Sequence, residues 1–155
     1  MPRLIRDGEI VEDSWRQPDE DLEAPGSEQI ATLEQWLHLA DKTGQAVQLE
    51  PGQAPAPLLE HLDQLSLIVI HFPAFMDGRG FSYGRELRER GYQGELRASG
   101  NIIQDQLTYL RRCGFNAFQM ADETKLESAL NSLEDFSESY QASSDQPLPL
   151  FRRRA

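Results

Sequence analysis

The chain has 155 residues, 26 of them acidic and 15 basic, for a net charge of −11, with a hydrophobic content of 39 % and a single cysteine. That length supports one self-sufficient core, and the acidity argues against nucleic-acid binding, whose affinity comes from neutralising phosphates. A lone Cys113 excludes an internal disulfide, a cysteine-rich zinc site and an iron–sulfur cluster held by this chain alone.

The charge is uneven. Residues 1–50 carry 12 acids and 4 bases, residues 51–115 carry 7 of each, and residues 116–155 carry 7 acids and 4 bases, so the acidity belongs to the flanks. No window approaches the ~20 apolar residues of a membrane span. The start, Met1 to Arg6, has no signal-peptide pattern, so a cytoplasmic protein is expected.

In chain order, Leu4 to Val11 is two short apolar segments around Asp7-Gly8, which predicts a hairpin at a sheet edge. Ser14 to Gly26 reads as an acidic surface connector. A helix is expected over Ser27 to Lys42, capped by Ser27, with Ile30, Leu33, Leu37 and Ala40 in one apolar stripe beside a core Trp36. Ala46 to Glu50 reads as a strand, Pro51 to Pro57 as a loop, and Leu58 to Leu65 as a short helix. Leu67 to Phe72 is continuously apolar up to His71, as suits a parallel strand covered on both faces. Helix Phe81 to Arg90 follows and stops at Gly91. Then come strand Glu95 to Ala98, a helix over Asn101 to Arg112 with Ile103, Leu107 and Leu110 inward, strand Phe115 to Met120, and a last helix from Thr124, as its cap, to Tyr140. The tail 141–155 reads as extended, perched on Leu148, Leu150 and Phe151.

Four strand-then-helix units of about 25 residues imply a single α/β domain built on a parallel sheet with right-handed crossovers. Residues 1–26 form its hairpin and connector, 27–140 its βα core and 141–155 its tail. The strand order is either sequential, like half of a (β/α)8 barrel, or flavodoxin-like with a switch point.

In such sheets ligands bind beyond the carboxyl ends of the strands. The turns there supply Glu50; His71 with Asp77, Gly78, Arg79, Gly80 and Ser82; Ser99, Gly100 and Asn101; and Gln119, Asp122, Glu123 and Thr124. An arginine beside small residues at a helix start suits an oxyanion. Arg79, Gly80, Ser82, Arg97, Ser99 and Asn101 are therefore the expected anion-binding set, with a local Asp77–Arg79 turn as the structural alternative. His71 and Asp77 are the catalytic candidates, against a packed role for His71. The glycines match neither a dinucleotide fingerprint nor a phosphate-binding loop, and His38 and His61 have no ligand spacing, so no cofactor or metal is indicated.

Phe72-Pro73-Ala74-Phe75-Met76-Asp77-Gly78-Arg79-Gly80-Phe81-Ser82 is more particular than a generic α/β loop. Together with Leu87 to Ala98, Asp105-Gln106-Leu107 and Arg112-Cys113-Gly114-Phe115, it resembles a bacterial family of unknown function. Ile5-Arg6-Asp7-Gly8 and the tail Gln146-Pro147-Leu148 with Phe151-Arg152-Arg153 extend the likeness over nearly the whole chain. Members of that family are often labelled oxidoreductases of sulfite reduction. The resemblance implies a role beside the sulfite reductase hemoprotein in assimilatory sulfate reduction, and it supplies no catalytic residues. With no flavin or nicotinamide fingerprint in the chain, electron transfer would need a cofactor held by the partner. A non-catalytic accessory protein is the preferred expectation, and an enzyme using the turn site is its rival.

Overall fold

The computed structural model describes residues 2–73 and 78–141. Residues 142–155 of the expected tail 141–155, and Asp77, lie outside those residues.

The hairpin forms as its sequence dictates. β1 (Arg3–Arg6) and β2 (Glu9–Glu12) pair antiparallel. The turn between them has φ 52° at Asp7 and 82° at Gly8, the doubly left-handed turn that matches strand twist. The hairpin lies at the sheet edge, as expected, and β1 joins it to the sheet by pairing antiparallel with the strand Ala117–Met120.

The segment expected as one helix from Ser27 divides in two. Ile30–Thr32 is β3, and α1 is only Leu33–Leu37. Thr32, not Ser27, caps the helix: it accepts from the Gln35 backbone while the Gln35 side chain accepts from the Thr32 backbone, a reciprocal capping box. Upstream, the chain is already committed to an extended pairing, with Arg16 accepting from Ile30 N and donating to Glu28 O. Gln35 and Gln29 also bind the connector's carbonyls at Gln17, Asp19 and Leu22, which fixes it to the sheet. Trp36 is fully buried between His61 and Lys42, as expected.

β4 (Ala46–Leu49), β5 (Leu67–Phe72), β6 (Glu95–Gly100) and β7 (Ala117–Met120) follow. They alternate with a 3-10 turn (Ala56–His61) and with α2 (Gly78–Glu89), α3 (Leu107–Arg112) and α4 (Leu126–Gln141). The seven strands run β2-β1-β7-β6-β5-β4-β3, and β3 to β7 are parallel and sequential. This is the half-barrel order, with one more parallel strand than the four expected. Right-handed crossovers that always step the same way put every helix on one face of the sheet. On that face Val47, Leu49, Ile68, Ile70, Phe72, Leu96, Ala98, Phe118 and Met120 join the main core. On the opposite face, among the described residues, Ile30, Ala46, Leu67 and Val69 form a smaller apolar cluster with Trp15 laid against it. Among the described residues, no helix is long and apolar enough to cross a membrane.

The starts of α3 and α4 also differ from expectation. Ile103 is 57 % exposed and its neighbour Ile102 is buried, because a 3-10 turn (Gln104–Gln106) precedes α3 and rotates the face. Asp122, not Thr124, caps the turn before α4, accepting from both the Thr124 backbone and its hydroxyl.

In the last turn of α2, Arg88 spans three carbonyls, those of Gly114, Tyr92 and Gly94. Tyr92 is buried, with its hydroxyl donating to Glu95 O at 3.0 Å. Burial raises the hydroxyl's pKa well above that of free tyrosine, outweighing the pull of Arg88. A group whose pKa is raised on folding stabilises fully below its unfolded value, and the contribution fades as pH rises. Stability is therefore expected to hold up to about pH 10, tyrosine's ordinary pKa, and to fall above it. Tyr92→Phe should flatten that alkaline fall in urea titrations while costing about 1 kcal/mol at neutral pH. An identical alkaline fall in the variant would contradict this.

Candidate functional site

Strand alternation decides which side chains meet. In β5, Ile68, Ile70 and Phe72 face the helices, so Val69 and His71 face the other way. Register then aligns His71 with Ser99 and Ser99 with Gln119 across β5, β6 and β7. One rung nearer the amino ends, Gln48, Val69, Arg97 and Ala117 align in the same manner. A polar row therefore crosses the helix-free face at the carboxyl ends of the strands.

Above this row is a cavity of ≈ 220 Å³. His71, Ser99, Gly100 and Gln119 form its floor, Gln48 one side, and Arg3, Gln17 and Glu123 the rim. Ser99 Oγ lies 2.9 Å from His71 Nδ1. Gln48 Nε2 donates to Glu50 Oε2 at 2.6 Å. On the rim, Glu123 Oε1 accepts from Arg3 N at 3.2 Å and faces Arg3 Nε at 3.9 Å.

Directly below sits a buried ion cluster. The Arg97 side chain is wholly buried, and all five of its N–H groups are spoken for. Nε donates to Glu95 Oε2 at 3.0 Å, Nη1 to Asp13 Oδ2 and to Gln119 Oε1 at 3.0 Å each, and Nη2 to Asp13 Oδ1 at 3.3 Å and Glu95 Oε2 at 2.8 Å. Arg6 adds a second cation to Glu95 at 3.4 Å. Arg97 is thus engaged inside the protein and has no N–H left for an anion.

The expected anion-binding set falls into separate places. Ser99 joins His71 in the cavity. Arg79, Gly80 and Ser82 lie in the first turns of α2, and Gly80 is packed so closely on the helix face that an added Cβ would stand 2.3 Å from the Phe72 ring. Its smallness serves helix-to-sheet contact. Arg79 and Ser82 are exposed and engaged within the chain. Asn101 is exposed just past β6, its backbone N–H donating to Phe72 O at 2.7 Å. Of the lining residues, Gln48, Gln17 and Arg3 come from outside the strand-to-helix turns.

Cys113 is buried, with Arg85 Nη2 3.5 Å from its Sγ. Among the described residues, no group of three or more His, Cys, Asp or Glu side chains could hold a metal ion.

The chain is thus an α/β protein with a sequential parallel sheet of the half-barrel order and a small polar cavity at the strands' carboxyl ends. Residues 46–151 match the bacterial family described as protein of unknown function DUF934, and the chain belongs to that family. The match spans β4 to β7 and the helices between them, and it takes in the His71–Ser99–Gln119 row. No curated protein matches the chain.

Proposed function

We propose that this protein is a non-catalytic accessory factor of assimilatory sulfite reduction, working in the cytoplasm beside the sulfite reductase hemoprotein and holding a small oxyanion in the cavity at the strand ends. The pathway comes from the family resemblance of the loop Phe72 to Ser82 and the segments that follow it. The ligand site is supported by one observation, the in-register row His71, Ser99 and Gln119 beneath a cavity of ≈ 220 Å³. That size suits an ion of a few heavy atoms with its waters, and is below the ~300 Å³ at which pockets for drug-sized ligands begin.

Disruption of the gene is expected to slow growth on sulfate or sulfite and leave growth on cysteine unchanged. Equal growth on all three sulfur sources would remove the pathway. Tagged protein should also retain the hemoprotein subunit in a pull-down from the same cells.

A second reading has its own support in the 2.9 Å contact between His71 Nδ1 and Ser99 Oγ. A histidine oriented by a buried hydroxyl can act as an acid–base group, making the protein an enzyme at the same site. His71→Gln separates the two. It abolishes turnover in an enzyme, whereas in an accessory factor it weakens ligand retention with no reaction to lose.

A further inference from the structure

We infer that Gln119 and His71 present a pair of orientation-fixed N–H donors to the cavity, and that its ligand is a small, oxygen-rich acceptor held by neutral hydrogen bonds and not by an unpaired cation. This rests on the cavity being a ligand site, as proposed above, and specifies which atoms hold the ligand.

The orientation of Gln119 follows from Arg97. A guanidinium has donors only, so the Gln119 atom 3.0 Å from Arg97 Nη1 must be the amide oxygen. The amide nitrogen is then turned away from the guanidinium. Gln119 lines the cavity, and this nitrogen meets no acceptor among the described residues. Arg97 is itself fixed by Asp13 and Glu95, so the amide cannot flip without breaking into the buried cluster.

The orientation of His71 follows from Ser99. Ser99 is 3 % exposed, and His71 Nδ1 is the only side-chain partner of its hydroxyl among the described residues. The arrangement that shares the hydroxyl's proton within the protein has Ser99 donating and Nδ1 accepting. Neutral imidazole then carries its proton on Nε2. His71 lines the cavity, and Nε2 has no partner among the described residues.

The two donors stand on β5 and β7, two strand spacings apart, roughly 9–10 Å at the backbone. Side chains that lean toward one ligand from either side of Ser99 and Gly100 can both reach its oxygens. Arg97 is committed to Asp13 and Glu95, and the half-exposed Arg3 guanidinium faces Glu123 at 3.9 Å, which offsets its charge. Recognition is left to hydrogen bonds, and Arg97 is a positioning residue acting through Gln119.

Two measurements test this. Long-range ¹H–¹⁵N spectra in mildly alkaline buffer should show neutral His71 protonated on Nε2, and Ser99→Ala should let the Nδ1–H form appear. Calorimetric titration with sodium sulfite should show binding by the wild type that changes about twofold or less when salt screens charge. Gln119→Glu keeps the shape and still accepts from Arg97, but offers the ligand an oxygen in place of N–H, so affinity should fall about tenfold or more. An Nδ1–H tautomer in the wild type, or equal sulfite binding by Gln119→Glu, overturns the donor assignment and leaves the cavity standing as a site. Binding of neither sulfite, sulfate nor phosphate by the wild type overturns the donor pair and the ligand site together.

Discussion

Replacing Arg97 by methionine is expected to lower stability by about 3–5 kcal/mol, a loss of roughly 6–20 °C in melting temperature for a chain of this size. Methionine fills much of the volume but supplies none of the five N–H donors. Asp13, whose side chain is 1 % exposed, would be left as a buried carboxylate without its cation, and Glu95 would keep only Arg6. Removing one partner costs far more than the assembled cluster contributes, because the survivors cannot regain water. Arg97→Lys should recover little, since one ammonium cannot span Asp13, Glu95 and Gln119 in the guanidinium's planar fork. Converting Asp13 and Glu95 to leucine in the Arg97→Met background should regain much of the loss, because no uncompensated charge then remains. Urea unfolding followed by far-UV circular dichroism measures each step. An Arg97→Met protein within 1 kcal/mol of wild type would show that Asp13 escapes to solvent when its partner goes.

The same cluster shows where a reading from the sequence reaches its limit. Glu95 lies two residues from Arg97, but Asp13 is 84 residues away. No local pattern links an acid in a connector to an arginine in a strand. The core strands were legible because Leu67 to Phe72 and its neighbours are apolar runs cut by Gly91, Gly114 and prolines, signals that act within a few residues. β3 was hidden by coincidence: Ile30, Leu33 and Leu37 keep a helical spacing although the first belongs to a strand. The better signal was Thr32-Leu33-Glu34-Gln35, a capping box that marks a helix start at Thr32.

For the site, the rule that ligands bind at strand carboxyl ends led to His71 and Ser99 but also to Arg79, Gly80 and Ser82. What separates them is the face of the sheet. His71 and Phe72 are adjacent in sequence and point to opposite faces, and Gly80 packs under Phe72. A cue existed in the strands themselves. Gln48, His71, Arg97, Ser99 and Gln119 are polar residues inside otherwise apolar parallel strands, all on one alternation phase once the register is set. Read as a set, they trace the helix-free face. Their register depends on long-range pairing, so the set could be assembled only with the sheet in view.

Gly100→Ala is the second substitution expected to have a large effect, about 3 kcal/mol or more, and it acts on fold and cavity together. Gly100 ends β6 at φ 100°, a conformation that costs an L-residue on the order of 1–3 kcal/mol. An added Cβ would stand 2.4 Å from the Phe72 carbonyl oxygen and 2.9 Å from His71 Cε1. The first of these atoms is backbone, tied down by the amide of Asn101 at 2.7 Å, so it cannot rotate aside as a side chain would. Relief requires β5 and β6 to part at their ends, adding an overpacking cost of about 1–3 kcal/mol. The second contact pushes the imidazole away from Ser99, which removes the hydrogen bond that sets its tautomer. The variant should therefore unfold at lower urea and, while still folded, show His71 in mixed tautomers by ¹⁵N spectroscopy. Gly80→Ala serves as the comparison. Its Cβ would also overlap a neighbour, but that neighbour is the Phe72 ring on the helix face. It should lower stability without altering His71. If Gly100→Ala left both the unfolding midpoint and the His71 spectrum unchanged, the tight junction of Phe72, Gly100 and His71 would not be what shapes the cavity floor.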